Sequence, residues 1–104
     1  MLIIKELSEM IEDEIHNAKC YAKRALELKV EDKELAEKLY ELSLEKMKHM
    51  QLLHTQVTRI ITTYQKEKGD PPPAMMAVYE YLHKRQIEKA QEVKNYQALY
   101  KENI

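Results

Sequence analysis

The sequence predicts an all-α protein, and three observations carry that prediction. Its 104 residues hold one Gly and three Pro, so the turn residues that a sheet of this length requires are missing. Apolar side chains recur at alternating three- and four-residue steps, the spacing that lines one face of a helix. The strong breakers stand together at Gly69-Asp70-Pro71-Pro72-Pro73, which leaves long stretches of chain without interruption. A chain of this length supports one core, so residues 1–104 are read as a single helical domain.

The first helix is expected over about residues 3–29, with Ile4, Leu7, Ile11, Ala18, Tyr21, Ala25 and Leu28 along one face. Val30-Glu31-Asp32 ends it. Asp32 is placed to cap a second helix over about residues 32–68, and Glu34 puts negative charge in its first turn, where the helix dipole favours it. That short connection implies an antiparallel hairpin. The second helix presents Leu35, Leu39, Leu42, Leu53, Val57, Ile60 and Tyr64, and it stops where Gly69 and the proline run begin. A third helix over about residues 73–103 begins on a proline whose missing N–H does no harm there. It turns Met75, Tyr79, Leu82, Ala90, Val93 and Tyr100 inward. At 1.5 Å per residue, helices of this size are about 40 to 55 Å long, so the molecule is expected to be elongated. Three helices leave one side open, and Met47, Met50, Met76 and Ile87 fall off the main stripes. Completion of a bundle by dimerisation, or by a larger homo-oligomer, is therefore expected.

Charge narrows the function classes. Seventeen Lys and Arg face eighteen Asp and Glu, for a formal net charge of -1. Acids and bases alternate along the helices instead of forming a basic stripe, which speaks against nucleic acid as a partner. No segment reaches membrane-spanning length, the N-terminus meets Lys5 and Glu6 too early for a signal peptide, and Cys20 has no cysteine to pair with. A cytoplasmic protein with no membrane partner is the expectation. One Gly excludes a Gly-rich phosphate loop, and neither Ser8 nor Ser43 has a His and Asp beside it for nucleophilic catalysis.

The informative residue is Glu14. Stepping through Ile4, Leu7, Ile11, Glu14, Ala18 and Tyr21 places its carboxylate in mid-stripe, where a charge needs a partner or a metal. On the second helix, taking Leu42 as reference and about 100° per residue, His49 lies about 20° to one side and Glu45 about 60° away on the same side. Glu45 and His49 are four apart and can face one point. Glu14 lies fifteen residues before Lys29 and Glu45 thirteen after Asp32, so the hairpin brings Glu14, Glu45 and His49 to nearly one level. Two carboxylates and an imidazole suit iron, manganese or zinc. The same pattern also fits a structural ion pair of Glu14 with Lys46 or Arg24, and a core His bonded for packing.

These residues resemble the ferritin-like superfamily, in particular rubrerythrin-type domains and two-helix encapsulated ferritins. The match covers about residues 7–64. There, as here, a ligand Glu (Glu14) is followed seven residues on by a Tyr (Tyr21), and a second Glu follows about thirty residues later (Glu45, thirty-one on). The family's Glu-x-x-His is replaced by Glu45-Lys46-Met47-Lys48-His49, with Lys46 standing three before the His. The resemblance implies a ferritin-like hairpin that pairs with a second copy around a di-iron centre oxidising ferrous iron with dioxygen, with Glu14, Glu45 and His49 as ligands, Tyr21 behind them and the third helix outside. Lys46 favours a different reading, a metal-free helical protein that binds itself or a partner through its Met- and Tyr-bearing surfaces. A lone Glu-x-x-His stands on the third helix as Glu80-Tyr81-Leu82-His83, a second candidate pair, with His83 at the edge of the apolar face and Glu80 beyond it, although exposed surface is the first reading for both; His16 and His54 are read as solvent-facing and Cys20 as half-buried and inert.

Overall fold

A computed structural model of the chain describes residues 2–102. It comprises three helices, α1 (Leu2–Leu28), α2 (Lys33–Lys68) and α3 (Pro73–Glu102), with no strand among the described residues. The boundaries follow from local chemistry. The Asp32 carboxylate accepts the Leu35 N–H at 3.1 Å, satisfying one of the free donors at the start of α2. The Asp32 N–H meanwhile closes the end of α1 on the Leu28 carbonyl at 2.9 Å. At the far end Gly69 takes φ 80° and returns its N–H to the Gln65 carbonyl at 3.1 Å, a left-handed backbone that a side chain would strain. The N–H groups of Met75 and Met76 fall on the Pro72 carbonyl at 3.0 and 3.2 Å, so Pro73 stands in the first turn of α3 without losing a hydrogen bond.

The helices run up, down and up. Glu14 meets Lys46 and Ala18 meets Ser43, which fixes α2 antiparallel to α1. Ser8 meets Gln86, Glu12 meets Lys89, Lys19 meets Glu92 and Lys29 meets Tyr100, so α3 runs parallel to α1. The result measures 55 × 18 × 18 Å, as elongated as the helix lengths require. α1 packs along both other helices, whereas α2 and α3 scarcely touch.

One end of the core joins Ile4, Ile11, Ile15, Ala18, Val57, Ile61 and Val93. The other joins Ala25, Ala36 and Tyr100, whose ring stacks on Tyr40 at 4.7 Å between centroids. Between them lies Ser43, fully buried. Its hydroxyl donates to the Ala18 carbonyl at 2.7 Å and accepts the Gln97 side-chain amide at 2.9 Å, so one oxygen joins all three helices.

The buried faces are rotated from those the periodicity suggested. On α1 the buried line is Ile4, Ser8, Ile11, Ile15, Ala18, Ala22 and Ala25, turned by about 50° at 100° per residue, which moves Glu14 from mid-stripe to the edge. On α2 Ala36, Ser43, Val57 and Ile61 are buried while Leu35 and Leu42 are exposed, a turn of about 65°. On α3 Gln86 is buried while Met75 is 36% exposed. The cause is α3 itself. It lies against the side of α1 that carries Ser8, Glu12 and Lys19, so α1 buries a line shared between two neighbours, and α2 turns to follow.

Ser43→Ala leaves the Gln97 amide without its acceptor. It should cost about 1–3 kcal/mol in denaturant unfolding, against less than about 0.5 kcal/mol for Gln91→Ala on the exposed side of α3.

Candidate functional site

The hairpin brings part of the expected cluster together. Glu14, its side chain 21% exposed, has one carboxylate oxygen sealed from solvent with no aligned hydrogen bond. Two nitrogens approach that oxygen, Lys46 Nζ at 3.4 Å and His49 Nδ1 at 3.4 Å. Lys46 is likewise mostly covered, at 26% exposed, whereas His49 is 52% exposed. Glu45 lies on the exposed surface. The rotation of α2 explains both positions, since from its buried line at Ser43 and Ile61 Glu45 is about 160° round the helix and His49 about 120°. Tyr21 is half-buried on the same side of α1 as Glu14.

Within one chain this donor set does not fit a divalent metal. One carboxylate and one imidazole share their point with an ammonium, which brings positive charge where the metal's would be. Among the described residues no group of three or more His, Cys, Asp or Glu is arranged to hold a metal ion. What the cluster does is neutralise a carboxylate at the edge of the α1–α2 seam. Removing Lys46 leaves that carboxylate half-sealed and unmatched, the costly way to break a covered pair.

A second polar cluster was not legible in the sequence. His54 Nε2 on α2 and His83 Nδ1 on α3 lie 3.2 Å apart, with their rings 4.7 Å apart and 20° from parallel. Tyr79 also stacks with His83, at 5.8 Å between ring centroids. Burial holds the His54 pKa below the ordinary imidazole value, and the neighbouring His83 adds to that. The pair borders a cavity of about 200 Å³ between α2 and α3, lined also by Met50, Gln51, Gln86 and Ile87. His54 is thus half-buried, contrary to the surface position expected for it. The signal was available: His54 lies on the Ser43–Ile61 side of α2, but only once the stripe is centred there. Glu80 is exposed and takes no part in the cluster. Cys20 is exposed rather than half-buried, its Sγ 3.6 Å from His16 Nε2 one turn before it.

No family model, no curated protein and no solved structure matches the chain. No helix among the described residues is long and apolar enough to cross a membrane.

A double-mutant cycle tests the pairing of Glu14 with Lys46. Lys46→Met alone should destabilise more than the double variant Glu14→Gln/Lys46→Met does, with a coupling of about 0.5–3 kcal/mol by urea unfolding. Strictly additive effects would mean that the two groups do not sense each other.

Proposed function

We propose that the protein is a metal-free helical self-association module in which two copies pair antiparallel along the outer face of α2. The observation that carries this reading is the makeup of that face. Leu44 and Leu52 are 37% and 67% exposed and, with Met47 and Thr55, line a shallow apolar groove at the middle of the helix. On the same face the N-terminal half carries Glu37 and Glu41 and the C-terminal half Arg59 and Lys66, all exposed. Glu41 and Arg59 each lie nine residues from Met50, near the helix midpoint. A twofold axis at that point lays each apolar patch on its copy and each acidic end on a basic end, the isologous pattern of a closed dimer.

Surface area agrees. The chain exposes 7100 Å², whereas a compact 12.4 kDa monomer exposes about 6,100 Å². Its radius of gyration is 16.6 Å, against about 13 Å for a compact domain of this length. The excess of about 1,000 Å² is close to the roughly 800 Å² per partner that a standard interface buries. The Glu14–Lys46 pair belongs to this reading as an internal charge match that needs no metal.

Sedimentation equilibrium at micromolar concentration tests it. The protein should run as a dimer, Leu44→Glu/Leu52→Glu should run as a folded monomer, and Glu41→Lys should weaken the dimer with recovery on adding Arg59→Glu. A monomeric parent protein would overturn the reading.

A second reading keeps one observation on its side, the approach of His49 Nδ1 to the sealed Glu14 oxygen at 3.4 Å. It is the ferritin-like reading, in which two chains pool Glu14, Glu45 and His49 around iron, or another divalent metal such as manganese or zinc. Ferrous iron added without oxygen and then exposed to air should develop ferric absorption under that reading, and Glu14→Ala should abolish it. Spectra that match those of buffer in both proteins belong to the metal-free reading.

A further inference from the structure

We propose that His54 and His83 form an acid-sensitive latch between α2 and α3, closed while both imidazoles are neutral and opened when both are protonated. The latch is separate from the Glu14 cluster and independent of the self-association reading.

The geometry suits a neutral pair. His54 Nε2 and His83 Nδ1 stand 3.2 Å apart, one donating and the other accepting, and the rings stack 20° from parallel at 4.7 Å. One added proton leaves that hydrogen bond in place. A second turns both facing nitrogens into donors and sets two like charges ring against ring.

Nothing around the pair offsets that charge. Among the described residues that line the cavity, the ionisable side chains are His54 from α2 and His83 and Lys94 from α3, with no carboxylate and no contribution from α1. One turn from His54 on α2 stand Met50, Gln51, Val57 and Thr58, all uncharged. Beside His83, burial raises the Tyr79 pKa and keeps that phenol neutral, and Glu80 is exposed. On α1 the Glu12 carboxylate faces Lys89 and the Lys19 amine faces Glu92, while Lys5 brings positive charge to the groove beside Tyr79.

Burial first, and His83 second, hold the His54 pKa below the ordinary imidazole value. Below about pH 6.5 an opened chain therefore takes up protons that the closed pair refuses, and closure weakens as the pH falls. Above that range both rings are neutral and the latch contributes in full. The α2–α3 side is also where opening costs least, because these helices scarcely touch. α3 keeps its hold on α1 through Gln86 with Ser8 and Glu92 with Lys19, so the two helices part locally without unfolding.

Spin labels at two exposed positions, Thr58 on α2 and Lys84 on α3, measure the opening. They are placed by Thr58→Cys/Lys84→Cys in a Cys20→Ser background, with labelled chains diluted into unlabelled protein. Between about pH 7.5 and about pH 5.5, either side of the ordinary imidazole value, their separation should grow by several ångströms while helix content by circular dichroism holds. His54→Gln/His83→Gln should remove that growth. His54→Phe, which keeps a ring in the stack with no proton to gain, guards against a double variant that does not fold and should remove it too. His16→Gln should keep it. A separation that stays constant over this range, a growth that survives His54→Phe, or a loss of helix in place of opening would overturn the proposal.

Discussion

The architecture depends on α1 being narrow enough to serve two neighbours at once. Ala18, Ala22 and Ala25 are fully buried, and with no side chain beyond Cβ they let α2 and α3 approach the same length of helix. Ser43 completes the arrangement. A hydroxyl is small enough for the seam and, unlike an alanine methyl, answers the side-chain amide that α3 sends in through Gln97. Larger apolar residues then fill toward the ends, with Ile4, Ile11, Ile15, Val57, Ile61 and Val93 on one side of the serine and Tyr100 with Tyr40 on the other.

That seam decides the chemistry of the hairpin. Because α1 turns its alanines and isoleucines toward a line between α2 and α3, Glu14 falls to the edge and needs a partner only for the half of its carboxylate that is sealed. Lys46 reaches it from α2 with an aliphatic stem that covers apolar surface and an amine that supplies the charge. A metal centre of the ferritin-like kind asks for a different arrangement, with several carboxylates facing inward from both helices. Here Glu45 faces solvent instead. The spacing of Glu14, Tyr21, Glu45 and His49 is thus compatible with two cores, and the rotation of α2 chooses between them within a single chain.

Helix number, order and ends were legible because each is written in local chemistry: the Asp32 cap, the Gly69 turn, the proline run before Ala74. Expected spans of about 3–29, 32–68 and 73–103 compare with Leu2–Leu28, Lys33–Lys68 and Pro73–Glu102, and residue 103 lies outside the described residues. Rotation about each helix axis was not legible to the same degree. Leucine marks a stripe by its size, yet Leu35 and Leu42 end up exposed while Ala36 and Ser43, which carry little hydropathic signal, are buried. Close helix packing selects small residues for the centre and leaves large ones for the flanks. The His54–His83 meeting was hidden for the same reason, since it joins two helices whose mutual register is set through α1 and not by any pattern they share.

The faces of α2 then divide the remaining work. Leu44, Lys48 and Thr55 point about 100° away from His54 around the helix axis, and Gln51 alone borders both the outer groove and the histidine cavity. The α2–α3 side is the loosest part of the molecule, with exposed Ile87 at 57% beside the histidine cavity and few contacts to hold it. Segments held by few contacts are the ones that open most easily. The outer face of α2, by contrast, is backed along its length by the α1 seam, the rigidity that the proposed pairing with a second copy would need. A loose side and a rigid side thus follow from the same asymmetry, one helix packed against two partners that barely meet.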